Sequence, residues 1–431
     1  MTEALPELLG AAPLAAAAAV ALGVPLYALR VRGRRYATFA AVILALSVPA
    51  ALVTHARLTE TLPARLVPAL ELGFAYGLVA AAVHLASLVR ARLRSRWFRW
   101  GVSVPGMAFV AMGALAGPWL LALAPLRGAL ALAGASSALA TLRWLDLAPL
   151  AVVFASLATS LRLPREVVRV RLGGSEPAEL ARLPVERHRR RPPPLGEPAL
   201  RIVQIADPHL GPWQPVHRLR RRIERLLDHA PDLVLLTGDF LTMEGQGTPG
   251  ALARALAPLA ALPGRCFAIF GNHDHEAQGE VRAALAANGV RLLVDEEACV
   301  PTQIGDVQIL GADWAREARA ERIRSLLARF PRRAAHLRLL LLHDPLGFRD
   351  VPKGEADLTL SGHTHGGQIG LVSLGFDWTV LARSRWPDHG LFGHGTNRLY
   401  VHRGTGFYGF PLRIGVPGEA SLLELLLADG C

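Results

Sequence analysis

Leu8–Leu29 is an uncharged run of about 22 residues rich in alanine and leucine, long enough as a helix to cross a hydrocarbon layer roughly 30 Å thick. In lipid such a run has one solution, because only a helix pairs all of its N–H and C=O groups within the segment. Four more runs of this character follow: Tyr36–Val53, Leu66–Val89, Gly101–Leu123 and Leu145–Leu161. Ala129–Leu142 is apolar but short, and fits a re-entrant or surface helix or part of a sixth crossing. The first run does not read as a signal peptide, since Glu3 and Glu7 precede it in place of basic residues and it is too long for an h-region.

Charge then orients the spans. Hydrophobic residues make up 52% of the chain, yet the net charge is +12, which fits spans flanked by cationic loops better than one soluble basic domain. The first loop carries Arg30, Arg32, Arg34 and Arg35; the third carries Arg90, Arg92, Arg94, Arg96 and Arg99; the second has only Arg57 and Arg65 against Glu60. The positive-inside rule makes the first and third loops cytoplasmic. Five crossings then leave the C-terminal domain cytoplasmic on an inner or plasma membrane, as Arg162, Arg165 and Arg169 agree, whereas a sixth would reverse it. The charge is therefore read as topology and solubility, and no nucleic-acid partner is favoured. Glu71 and His84, near the ends of the third span, read as interfacial. Cys266, Cys299 and Cys431 form no CxxC and imply neither a disulfide framework nor a zinc ribbon. Pro164–Pro198 is polar and proline-rich, with Arg187-His-Arg-Arg-Arg191 before three prolines: a stiff linker first, and a basic patch for anionic headgroups second. The division expected is 1–163 membrane region, 164–198 linker and 199–431 catalytic domain.

Beyond residue 199 the pattern changes to short apolar runs alternating with amphipathic helices, over Pro215–His229, Gly250–Leu262 and Glu317–Phe330, the signature of a layered α/β domain. Five apolar runs end in metal-ligand residue types. Leu200–Ile205 leads to Asp207 and His209, Leu233–Thr237 to Asp239, Cys266–Phe270 to Asn272-His273-Asp274, Leu337–Leu342 to His343-Asp344, and Leu358–Ser361 to Gly362-His363-Thr-His365-Gly-Gly367-Gln368. Ligands gather at the carboxyl ends of strands in such folds. Oxygen and imidazole donors without thiolate suit manganese, iron or zinc. Asp344 reads as a turn residue.

These motifs, in this order and rough spacing, resemble the calcineurin-like metallophosphoesterases. The resemblance covers about Leu200–Leu427. The tail Val401-His-Arg403-Gly-Thr-Gly406…Pro411-Leu-Arg413 and the multi-span N-terminus are similar to the membrane-anchored YkuE/YaeI-type branch, some members of which resemble UDP-2,3-diacylglucosamine pyrophosphatases. The fold implied is a layered β-sandwich flanked by helices. The resemblance implies two divalent metal ions, manganese first: Asp207, His209 and His365 on one, Asn272, His343 and His363 on the other, and Asp239 bridging. Two such cations clamp phosphoryl oxygens and lower the pKa of a shared water, so the activity implied is hydrolysis of a phosphodiester or pyrophosphate by a bridging hydroxide. His273 would stabilise phosphoryl charge or protonate the leaving oxygen, and Asp274 would orient it, or else cap the helix beginning near His275.

The chain departs from the family at Ala206, Pro208, Thr242 and Gly418-Glu419-Ala420, none of which removes a ligand. Candidate substrate contacts are Gly367, Gln368, Trp378, Arg385 and Arg403, with the stretch Ser373–Asn397 as either a flap toward an amphiphilic substrate or a loop packed on the core. Trp213 and Phe407-Tyr408 are candidates for the same mouth. The partners expected are the bilayer and a lipid-linked or nucleotide-linked phosphoester. The alternatives are a nuclease or cyclic-nucleotide-type phosphodiesterase of the same fold, and a membrane sensor with a non-catalytic metal-binding domain.

Overall fold

The structure is a computed structural model that describes residues 11–189, 192–193 and 195–427. The first residues of the Leu8–Leu29 run, Arg190, Arg191, Pro194 and Cys431 lie outside the described residues. The chain divides into two compact units, Met1–Ala158 with Gly409–Leu412, and Thr159–Tyr408 with Arg413–Cys431.

Five helical stretches are long and apolar enough to cross a membrane: Ala11–Val31, Arg34–Thr61, Ala64–Arg90, Arg96–Leu132 and Ser136–Leu161. The ambiguous Ala129–Leu142 run is shared between the end of the Val104–Leu132 helix and the short helix Ser136–Arg143, so it forms no separate crossing among the described residues. Glu71 is exposed, whereas His84 is buried. Within this unit the buried Asp146 pairs with Arg57 at 2.7 Å and takes Arg127 as a second partner.

The second unit is built from two seven-stranded sheets. Strands β1 (Arg165–Arg171), β3 (Glu186–His188), β4 (Leu200–Ile205), β5 (Leu233–Leu236), β6 (Cys266–Ala268), β7 (Arg291–Leu292) and β14 (Ala420–Leu426) form one, in the order β3-β1-β14-β4-β5-β6-β7. Strands β2 (Ala181–Leu183), β8 (Glu296–Thr302), β9 (Gly305–Ala312), β10 (Leu337–Leu342), β11 (Leu358–Ser361), β12 (Gly390–His394) and β13 (Asn397–Val401) form the other, in the order β2-β12-β13-β11-β10-β9-β8. Their facing surfaces make one core, in which Ile202, Leu235 and Leu423 from the first sheet join Ile309, Leu341 and Leu360 from the second. Helices cover the outer faces through apolar stripes such as Leu219, Ile223 and Leu226 on Val216–Leu227, and Ile323, Leu326 and Leu327 on Arg319–Arg329. Burial on both faces is why the central strands read as unbroken apolar runs instead of alternating ones.

The stretch 164–198, expected to be a linker, differs most from the sequence reading. Residues 165–171 form β1, which pairs in parallel with β14 from Arg165↔Ala420 to Arg171↔Leu426, and β2 and β3 edge the two sheets. Val168 and Val170 are fully buried in the core. The arginines that give this segment a solvated look alternate with those valines on the strand.

Candidate metal centre

Strands β4, β5 and β6 are parallel to one another, as are β9, β10, β11 and β13. Each motif residue lies just past the carboxyl end of one of these strands, and the two sheets deliver their loops to one place. Asp207, His209 and His365 present ligand atoms all within 4.8 Å of one another, and Asp239, His343 and His363 do the same. Asn272 joins the second group, its Oδ1 lying 3.1 Å from His343 Nε2.

The two groups share Asp239. Its Oδ2 lies 3.6 Å from His209 Nε2 and 3.4 Å from His343 Nε2, so one oxygen faces both. Its Oδ1 is occupied elsewhere, accepting the His273 backbone N–H at 2.9 Å. Asp207 is likewise both facing group and brace: it lies 3.7 Å from His365 Nε2 and accepts the His363 N–H with both oxygens at 3.0 Å. His343 Nδ1 sits 2.7 Å from the Thr237 carbonyl and donates to it, which turns Nε2 inward.

This convergence has a backbone signature. Asp207, His209, Asp239, His363 and His365 all have left-handed φ, at +48°, +41°, +59°, +69° and +53°. They are half of the ten non-glycine residues with positive φ among those described. Each such residue costs about 1–3 kcal/mol and persists only where its surroundings over-determine it. Two glycines make room: a Cβ on Gly271 would stand 2.2 Å from Asp239 Oδ1, and one on Gly362 2.2 Å from Asp207 Oδ2.

Burial sets the protonation pattern. It pushes His209 down to about 3 and His363 to about 4, and holds His365 well below the usual imidazole value. Burial would lower His343 too, but the Asp239 carboxylate beside it lifts that ring to about 10. Burial would raise Asp239, and charged His343 outweighs it and holds the carboxyl well below its normal range. For Asp207 burial wins, with Asp239 adding to it, and the carboxyl rises to about 7.

The residues fit divalent cations. His209 Nε2 and His365 Nε2 are 3.3 Å apart on rings stacked at 5.0 Å, both kept neutral, so at most one can donate to the other. A cation between them suits both lone pairs and offsets the buried carboxylates.

The remaining candidates separate. The His273 ring stands 5.6 Å from that of His209 and 5.2 Å from Tyr408, at the rim of the first group. Asp274 does not orient His273. Its buried carboxylate accepts the backbone N–H groups of Asp239, Phe240 and Gly271 at 2.7–2.8 Å and so ties the β5 and β6 loops together; the carboxylate near His273 Nδ1 is Glu276, at 3.7 Å. Arg403 is not placed to meet substrate either, because it is buried against Glu166 at 2.7 Å and Glu419 at 3.2 Å. Gln368 is buried and donates to the Tyr408 carbonyl at 2.7 Å, and Gly367 turns beside it with φ +72°. Trp378 and Arg385 are exposed, and among the described residues no hydrogen bond or ring contact joins them to either group. Asp344 caps a turn, accepting the Leu346 N–H at 2.9 Å. Tyr408, which packs 5.3 Å from His209, lies at the centre, while Trp213 is buried against Phe407.

Sequence reasoning missed two supports. Arg413 donates to the carbonyls of His365, Arg403, Gly404, Gly406 and Val416. Its place in the Pro-Leu-Arg tail was the only signal. Glu166 had none, since it stands in a segment that reads as linker.

The model of the calcineurin-like phosphoesterase family matches residues 200–367. Phosphodiesterase YaeI of Escherichia coli K12 is 30% identical over 235 residues, covering 52% of this chain and 82% of that protein. The chain belongs to the calcineurin-like phosphoesterases. The phosphoesterase is also similar to the uncharacterized metallophosphoesterase YkuE of Bacillus subtilis, at 27% identity over 248 residues, 54% of this chain and 81% of the relative. A transmembrane protein with metallophosphoesterase domain from Danio rerio is 28% identical over 249 residues, 52% of this chain and 53% of its own length. The phosphoesterase is thus a metal-dependent phosphoester hydrolase carrying a membrane-type helical region.

Proposed function

We propose that this chain hydrolyses a phosphodiester or pyrophosphate bond in a membrane-associated or nucleotide-linked lipid, on the cytoplasmic face of an inner or plasma membrane. The observation that carries the reading is the single Asp239 oxygen facing both histidine groups. Asp207, His209 and His365 would hold one divalent cation and Asn272, His343 and His363 the other, with Asp239 facing both groups; manganese suits the set, with iron and zinc as alternatives. When bound, the cations supply Lewis-acid stabilisation of phosphoryl charge and a water of lowered pKa. The chain's own part is positional. Asp207 and Asp239 fix the His363 and His273 backbones, the Thr237 carbonyl fixes the His343 tautomer, and His273 stands at the rim, where it can donate to a leaving oxygen. The name of the Escherichia coli relative, a phosphodiesterase, favours a diester. The arginine-flanked helices favour the cytoplasmic side.

The test is metal analysis of the purified full chain together with a manganese-supplemented screen of a generic diester, UDP-linked lipids and glycerophospholipids. Two metal equivalents and turnover that Asp239→Asn abolishes are expected. Metal-loaded protein that turns over none of these substrates would sink the reading.

A further inference from the structure

Among the described residues of the two-sheet unit, every large hydrophobic side chain that stands exposed lies between Leu371 and Val380. These are Leu371, Leu374, Phe376, Trp378 and Val380, from 40% to 70% exposed. Exposed apolar residues scattered singly need no explanation, but a contiguous group rimmed by charge marks an interaction surface.

The group is held out by a hairpin. The Leu371 N–H donates to the Trp378 carbonyl at 2.9 Å and the Val380 N–H to the Ile369 carbonyl at 3.0 Å, and the tip turns at Gly375 with φ +89°. Its base is pinned to the domain. The N–H groups of Gly370 and Ser373 donate to the carbonyls of Ile414 and Gly415 at 2.9 and 2.8 Å. The buried Thr379 hydroxyl donates to the Asp388 carboxylate at 2.6 Å, and the Asp388 carbonyl accepts the Thr364 hydroxyl at 2.6 Å. Thr364 stands between His363 and His365, so the hairpin is tied directly to the metal-binding loop.

Charge completes the surface. Arg383 and Arg385 are exposed, Arg385 over the Trp386 ring at 4.7 Å, and neither meets a carboxylate among the described residues. Asp377, whose side chain is 79% exposed between Phe376 and Trp378, is the one acid in the stretch 371–386. A carboxylate at that place limits insertion to headgroup depth.

We propose that this hairpin docks the two-sheet unit on an anionic bilayer surface, with its apolar side chains among the upper acyl chains and its arginines among the headgroup phosphates. The last apolar helix ends at Leu161 and β1 begins at Arg165, so chain length alone keeps a lipid surface within about 15 Å of that point. Tethering at that length raises the effective concentration of the bilayer, and a surface of weak intrinsic affinity then suffices. A second copy of the chain is a poorer occupant, since five side chains fall short of the roughly 20–30 residues a side in a stable interface. The docking does not rest on the hydrolase reading.

Full-length protein carrying Cys299→Ser and Cys431→Ser, with the buried Cys266 kept, is labelled with an environment-sensitive fluorophore at Phe376→Cys. Ser325→Cys, on the Arg319–Arg329 helix, is the control. Both are placed in nanodiscs of phosphatidylcholine with or without phosphatidylglycerol, and quenching is read with a nitroxide on the upper acyl chain and with aqueous iodide. The label at 376 should be quenched by the nitroxide and sheltered from iodide, and the label at 325 the reverse. Leu374→Ser should lower the docked-to-free ratio read at 376 by about tenfold. Arg383→Gln should lower it about fivefold, and only where phosphatidylglycerol is present. A label at 376 that iodide reaches and the nitroxide does not overturns the proposal. So does a label sheltered from both, because protein, such as a second copy, then covers the hairpin. Should Phe376→Cys fold poorly, Leu374→Cys carries the label and the same outcomes decide. Melting temperature and bound-metal content, read in parallel, separate failure to dock from failure of the metal centre.

Discussion

The two histidine groups use the same residue types but are braced in opposite ways. Left-handed backbone is common to both, at Asp207, His209 and His365 in the first and at Asp239 and His363 in the second, but in the first the buried Arg413 donates to the His365 carbonyl at 3.0 Å. The second rests on an anchored ring, His343 against the Thr237 carbonyl, and on a buried carboxylate, Asp274, which gathers the amides of Asp239, Phe240 and Gly271. The first is therefore held by a buried cation acting on carbonyls, the second by a buried anion acting on amides. Asp239 is the member common to both, so damage should propagate most from there and least from the periphery.

Asp239→Asn should cost the most, on the order of 10³–10⁴ in kcat on a generic diester, because stabilisation of phosphoryl charge by both cations is weakened at once. Metal analysis should show both equivalents weakened; loss of one alone would mean that the two groups are independent.

The braces come next. Asp274→Ala leaves three buried N–H groups unpaired and should lower stability by about 3 kcal/mol, seen as a reduced denaturation midpoint. Arg413→Lys cannot reproduce a planar fork spread over several carbonyls and should cost about 2 kcal/mol. The contrast is sharpened by metal titration: the Asp274 variant should load the second site poorly, and the Arg413 variant the first. The same defect in both would erase the distinction.

Single ligand losses are narrower. His365→Ala and His343→Ala should each lower affinity for one metal equivalent by about 100-fold or more and leave the other within a few-fold. Competition with a chelator measures this directly, and co-operative loss of both would contradict separate bracing.

The smallest effect is in protons. A group whose folded pKa is raised is protonated near neutral pH and must release its proton when metal binds. His343, lifted to about 10, and Asp207, raised to about 7, are in that position, while the lowered His209, His363 and His365 are already neutral. Metal uptake should therefore strengthen as pH rises and release roughly one to two protons at pH 7. Calorimetry in buffers of different ionisation enthalpy tests it, and uptake without proton release would refute it.

Much of the centre could be read before any coordinates. β4 and β10 begin and end where their apolar runs do, and the ligand types stand just beyond, because strands buried on both faces must be apolar and their carboxyl ends are where loops gather. What escaped was long-range. Arg403 looks like a substrate cation until Glu166, 237 residues away, is found against it. Asp274 looks like a partner for its neighbour His273 until the loops are seen folding back onto it. Composition also misled over 164–198, where arginine and proline mask the valines that a distant strand requires.

That strand governs the order in which the protein can be made. β1 follows the last apolar helix almost directly, yet its parallel partner β14 ends at Leu426, so the nascent domain must wait for nearly the whole chain before the seam closes. A soluble fragment begun at residue 199 would emerge with one side of β14 bare and Glu419 stripped of Arg187, inviting strand-to-strand association. One begun near residue 164 would keep the seam and is the form to secrete, crystallise or display.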